Sequence, residues 1–498
     1  MSVPSPSPAP SAPPDLDLTN IQGDILEGLP KQYQSFIFFT IVDAGLFRKA
    51  LKDIVPLITT TSQALADQAA IQHGKRQWGR SIIQLVGTNI AFSADGLSAL
   101  DITDDLGDAS FHSGQLATAT SVLGDPTVPG STTEPAWEPA FKETIHGCFN
   151  VTGDSRATIE ARVSQLDTIL KGATKTVNRV DGAVRRGAEK GHEHFGFQDG
   201  VSNPAVTGFR LPNAGEAATE AGIILLGQPG DAFINARPAW AKDSSFLAFR
   251  KLRQFVPEFH DFVNKNPIPD PGLTPEKGSE LLAARMMGRW PSGAPVERDP
   301  AADNLKDAGD VNRINDFDYV TGDNVNTPQL KCPFTAHLRK MNPRAGIPGL
   351  PFVQTRRIIR QGIPYGPEVT HQEQKAGHSI ENRGLLFACY QSVLGNGFVF
   401  LQQTWANNVD FPRTGAGLDP IIGQGPSRFI TGMDPENVTA TLTLPKQQFV
   451  TPLGGAYMIS PSLQALSGFP FSTTTPPVTP VSTATAAATP AAQAVAAA

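Results

Sequence analysis

Residues 35–49, SFIFFTIVDAGLFRK, and residues 245–262, SFLAFRKLRQFVPEFHDF, are two versions of one pattern. Each opens on a run rich in Phe, Ile and Leu, the kind of residue that fills a pleated, half-buried strand. Each then changes to apolar residues at helical spacing, as in GLFRKALKDIVPLI at 45–58. A later strand-like segment follows in each half: HGCFNVTGD (146–154) and RGLLFACYQS (383–392), the second leading through a Gly-containing turn to GFVFLQQTW (397–405). Two β–α–β halves with antiparallel pairing predict an α+β fold of two ferredoxin-like domains. The internal similarity is weak, and chance stays open as its source. The join is placed in 229–243, where the chain gathers Gly, Pro and polar residues.

The domains are accordingly expected at 17–235 and 236–471. Residues 1–16 are mostly Pro, Ser and Ala, and 472–498 are almost entirely Thr, Ala, Pro and Val. Neither composition can fill a core, so both ends are expected to be disordered tails.

The bulk numbers narrow the function class. With 40% hydrophobic and 18% charged residues the chain can build a sizeable core. A net charge of −6 gives no electrostatic reason to expect nucleic acid or an anionic membrane as partner. No run approaches the ~18 apolar residues of a membrane span. Three widely spaced cysteines, Cys148, Cys332 and Cys389, make neither a disulfide framework nor a CxxC or CxxCH site. The first residues, MSVPSPSPAPSAPPDLDL, contain neither a basic region nor an apolar one, so a secretory signal is not visible. A soluble chain of a thiol-tolerant compartment is the expectation, with non-classical export left open. The sequons at Asn150 and Asn437 matter only if the chain is exported.

Four segments carry chemistry. In GHEHFGFQDGVSNP (191–204), Asp199 is flanked by glycines that let backbone approach a bulky, flat group. An aspartate that merely closes its own turn is the simpler alternative. His192 and His194 would lie on one side of an extended segment, but no third metal ligand is near. In KCPFTAHLRKMNPR (331–344), His337 reads either as a buried hydrogen-bonded histidine or as a ligand. Arg339, Lys340 and Arg344 after it form a solvated face or neutralise a bound anion. Arg360 in RRIIRQGIPYG (356–366) leaves a β-like pair towards a turn, as an electrostatic clamp or a surface ion pair. In RGLLFACYQ (383–391), Leu385 and Phe387 share one strand face.

Taken in order, NIQGDIL (20–26), GFQDG (196–200), GRWPSGAP (288–295), CPFTAHLRKMNPR (332–344), IIRQGIPYG (358–366), RGLLFACYQ (383–391) and GGAYMISPS (454–462) resemble the dye-decolourising haem peroxidases, most closely the fungal ones. The resemblance spans 17–471. It implies one non-covalent haem b per chain, lying between sheets and helices mainly of the second half. It implies Asp199 as the distal acid–base, Arg360 as the distal arginine and His337 as the axial iron ligand. Leu385 and Phe387 would line the distal cavity. Asp419, in GLDPIIG, would take the proximal imidazole N–H, with Asp410 nearby as the alternative. Where bacterial relatives have an asparagine two residues after the arginine, this chain has Gly362.

The implied partners are hydrogen peroxide and bulky aromatic reductants: anthraquinone and azo dyes, phenolics and, as an open addition, Mn²⁺. A carboxylate with an ordinary pKa of ~3.9 stays ionised well into acid, so an acidic optimum is expected. Trp405 and Tyr365 are the candidates through which electrons from large substrates enter at the surface, although each could equally be a core ring. Two other readings are a non-catalytic haem-binding or haem-transfer protein and a chlorite dismutase-like enzyme. The first leaves Asp199 and Arg360 without a task; the second lacks the glycine-flanked aspartate.

Overall fold

The computed structural model describes residues 16–78, 84–270, 272–319, 329–347 and 350–468. The tails expected to be disordered lie outside the described residues, apart from Leu16. Nine strands build one antiparallel sheet: β1 Tyr33–Ile41, β2 Val86–Phe92, β3 Gly147–Gly153, β4 Thr174–Ala183, β5 Ser245–Gln254, β6 Ile359–Arg360, β7 Ile363–Tyr365, β8 Gly384–Gln391 and β9 Val450–Ser460. Their order is β4-β1-β3-β2-β9-β5-β8-β6, with β7 also paired to β8. The first half runs fourth-first-third-second, and the second half repeats that order. This is the ferredoxin-like arrangement, twice.

Both quoted segments fold as strand then helix. After β1, Asp43 accepts from Leu46 N at 2.8 Å and caps the helix Ala44–Ile54. After β5 comes the helix Val256–Lys265. Alternation along the strands then sorts the core into two layers. Phe36, Phe38, Leu247, Phe249, Leu386 and Ala388 form one cluster on the inner face. Ile37, Phe39, Phe246, Ala248 and Cys389 face outwards, in a cluster with Phe47 and Leu51 of the first helix.

The sheet curves until its two ends meet. A Cβ added to Gly182 of β4 would stand 2.4 Å from Ile363 Cγ2 of β7, so only a glycine allows this approach. At the opposite seam, β2 and β9 share the single registered pair Phe92–Ile459. Gln22 reinforces that seam: its Nε2 donates to Ile90 O (2.9 Å) and Pro461 O (2.8 Å), while its Oε1 accepts from Ile90 N (2.8 Å). The sequon residue Asn150 is buried, its amide donating to Asp24 Oδ2 at 2.9 Å. No described helix is long and apolar enough to cross a membrane.

Candidate active site

The outward side chains of β5 and β8 that no helix covers, among them Arg250, Leu252, Leu385 and Phe387, floor a cavity of about 600 Å³. Its other walls are the loop 193–205, the segment 354–360, and residues from 337 to 344. Asp199, Arg360 and His337, more than 130 residues apart at the extremes, therefore face one space.

His337 opens the short helix His337–Met341. Its Nδ1 donates to Asp419 Oδ2 at 2.9 Å, which leaves Nε2 as the nitrogen available to a ligand. Burial pushes the Asp419 carboxyl up. The charge and hydrogen bond of His337, with backbone N–H groups of Ile421 and Ile422, overcome this and hold it below its ordinary value. Asp410, the alternative partner, instead accepts from Gly415 N.

The basic residues after His337 are not a solvated face. Arg339 is buried between the rings of Tyr319 and Phe334, its guanidinium carbon 4.6 and 4.4 Å from their centres. Lys340 Nζ donates to the carbonyls of Trp405, Asn408 and Gly417 at 3.1, 2.6 and 2.7 Å. Burial pushes this ammonium down to about 8. Of the three cations only Arg344 lines the cavity.

On the opposite wall, Gly196 and Gly200 adopt φ of +98° and +70° and shape the turn that carries Asp199. Asp199 Oδ1 accepts from Gly200 N (2.7 Å) and from Arg360 Nη1 (3.1 Å). The aspartate thus closes its own turn and binds the arginine with one oxygen; no hydrogen bond from a described residue occupies Oδ2. Arg360 Nη2 donates to Ser202 O at 3.0 Å. A second cavity of about 330 Å³, reaching Glu27, Arg210 and Glu216, shares Asp199 and Arg360 with the first. Gly362 borders it without a polar side chain.

One expectation needs correction. Trp405 is 1% exposed, its ring stacked on Phe411 at 4.9 Å, and Tyr365 is 8% exposed, its hydroxyl donating to Asn382 and its ring 5.3 Å from the Lys251 ammonium. Burial keeps both rings from the surface, so neither presents a face to an external dye. In the His192–Glu193–His194 run, His194 is buried, its Nε2 hydrogen bonded to Tyr365 O at 2.8 Å, and burial pushes it down to about 4. Glu193 is the member that lines the cavity, accepting from the backbone N–H groups of Phe195 and Phe197. Sequence reasoning missed it, and missed Arg356 and Arg357, whose only signal is the pair of cations ahead of Ile358.

The fold and the site define an α+β barrel protein with one large cavity, lined by Asp199 and Arg360 on one side and by His337 on another. A family model described as the DyP dimeric alpha+beta barrel domain matches residues 20–186, and one described as Dyp-type peroxidase, C-terminal, matches 192–411. A dye-decolorizing peroxidase of Mycetinis scorodonius is 43% identical over 91% of this chain and 87% of its own. One from Auricularia auricula-judae is 40% identical over 93% and 89%. The solved structure of an ancestral D-type dye decolorizing peroxidase superposes with a TM-score of 0.86 at 49% identity, covering 91% of this chain and 99% of that one. The chain belongs to the Dyp-type peroxidase family, and it is a peroxidase.

The family implies a haem cofactor, and the cavity fits one. Arg344, Arg356 and Arg357 line it, and none is within ion-pair distance of a described carboxylate. Burial pushes Arg357 down to about 10. Arg344 Nε, Arg356 Nε, Gln354 Nε2 and Asn342 Oδ1 are buried with no partner among the described residues. Cations without an ion-pair partner and the orphaned donors among these atoms, Arg344 Nε, Arg356 Nε and Gln354 Nε2, suit the two carboxylates of a haem.

Proposed function

We propose that this peroxidase reduces hydrogen peroxide at one non-covalent haem b per chain and regains the electrons from bulky aromatic compounds, the anthraquinone and azo dyes and phenolics. The observation that carries the reading is the shared cavity: Asp199 and Arg360 on one wall, His337 with a free Nε2 on another. The two relatives, both dye-decolorizing peroxidases by name, agree with it. The two-domain division at 235/236 belongs to the same reading, supported by the repeated strand order. Among the described residues no group of three His, Cys, Asp or Glu could hold a metal ion.

Haem supplies the redox step when bound: two electrons for the O–O bond and their recovery from a reductant. Asp199 Oδ2 takes the proton from one peroxide oxygen and returns it to the other, so that water leaves as the bond breaks. Arg360 stabilises the negative charge that develops on the departing oxygen, already oriented by Ser202 O and Asp199 Oδ1. Arg344, Arg356 and Arg357 would hold the propionates. His337 would bind iron through Nε2, with Asp419 raising its basicity and fixing its ring. Leu385 and Phe387 keep the floor of the site apolar.

Asp199→Asn should keep its Soret absorbance and lose ~10²-fold or more in turnover of an anthraquinone dye with peroxide at acid pH. His337→Ala should lose haem on gel filtration. Full activity of Asp199→Asn across the pH range would overturn the acid–base assignment.

A further inference from the structure

Arg360 ends a strand of two residues at the edge of the sheet. It stands opposite Cys389 of β8, and the next ladder bond is Gln361 N to Ala388 O at 2.8 Å. The N–H and C=O of Arg360 itself turn to the other side, where β6 has no strand neighbour. An unpaired edge peptide needs a partner. Asn203 supplies it in both directions: Arg360 N donates to Asn203 Oδ1 at 3.0 Å, and Asn203 Nδ2 donates to Arg360 O at 3.1 Å. A carboxamide offering an acceptor and a donor side by side does the work of one strand peptide.

Asn203 lies on the loop that carries Asp199, and its own carbonyl accepts from Arg210 Nη2 at 2.6 Å. That loop therefore grips Arg360 at two ends. Asn203 holds the peptide, while Asp199 Oδ1 and Ser202 O take the guanidinium. Neither the loop nor the strand can slide without breaking the pair at the backbone.

We infer that Asn203 is a positioning residue that sets the register between the Asp199 loop and the Arg360 strand; this rests on the roles given above to Asp199 and Arg360. Asn203→Leu keeps the side-chain shape and removes both bonds. Asn203→Asp keeps the acceptor and removes the donor, and it carries the test if the leucine variant does not fold. In the holoenzyme both should lower kcat/KM for hydrogen peroxide by ~10–100-fold, the cost of a misplaced group, and leave kcat/KM for the dye unchanged. Spectrophotometric titration of the ferric protein with cyanide, an anion that meets the same arginine, should show a Kd ~10-fold weaker.

The decisive comparison is a double-mutant cycle. If Asn203 acts through Arg360, Asn203→Leu should cost little more in an Arg360→Leu background. A full, additive cost in that background, or an unchanged peroxide kcat/KM in Asn203→Leu beside a crippled Arg360→Leu, would overturn this inference and leave the peroxidase reading intact. An Arg360→Leu variant with normal peroxide turnover would overturn both.

Discussion

Glu193 shows at the scale of one residue how the cavity alters chemistry. Burial pushes its carboxyl up, the N–H groups of Phe195 and Phe197 and the Gln254 amide pull it back, and the result is about 7. A carboxyl whose folded pKa lies above its unfolded value contributes stability that is complete below the unfolded pKa. That stability is lost as pH rises through the folded one. Glu193 should therefore make the protein less stable between about pH 4.5 and pH 7, the bounds set by its ordinary and shifted values. Glu193→Gln should flatten that fall in melting temperature against pH, and an unchanged slope would refute the assignment. Asp199 teaches a different lesson. The turn reading and the acid–base reading competed on the sequence, and they are compatible: the residue closes its turn with Oδ1, which leaves Oδ2 for the proton transfer proposed above.

Among the elements, the helix His337–Met341 matters most, because it is only five residues long. So short a helix has little stability of its own. Lys340 anchors it by donating to three carbonyls, including Gly417 two residues before Asp419. Lys340→Met would leave the carbonyls of Trp405 and Gly417 without this donor in buried surroundings, at a cost of ~1–3 kcal/mol for each left unsatisfied. Denaturant unfolding should show a loss of at least ~2 kcal/mol on that basis, together with weaker retention of haem. A variant as stable as the parent would mean that water replaces the ammonium. The sequence grouped Arg339, Lys340 and Arg344 as one basic cluster, and the structure parts them. The sequence could not say which way each side chain points, since helical direction is set by what packs around it.

The whole molecule depends on two seams. One is the approach of Gly182 to β7; the other is the single pair between β2 and β9, bridged by Gln22. Gln22→Leu would leave the N–H and C=O of Ile90 and the carbonyl of Pro461 unpaired, and should lower stability by ~3 kcal/mol or more. Haem retention should change less than it does in His337→Ala, because His337 and the floor strands β5 and β8 of the cavity belong to the second half. Unfolding that stays unaffected, measured by circular dichroism, would assign the seam to packing alone.

The sequence by itself determined the elements and their duplication, because strand and helix periodicities are local properties of SFIFFTIVDAGLFRK and SFLAFRKLRQFVPEFHDF. The ordered motifs also identified Asp199, His337 and Arg360 as a set through resemblance. Only the tertiary structure decided that these three share a cavity on the outer face of β5 and β8. It also put His337 on Asp419, the partner the resemblance favoured over Asp410, and buried Trp405 and Tyr365. Asn203 as the partner of an edge peptide was likewise invisible. These are facts about contacts across as many as 161 residues of chain, and periodicity carries no information about which distant backbone edge will be left unpaired.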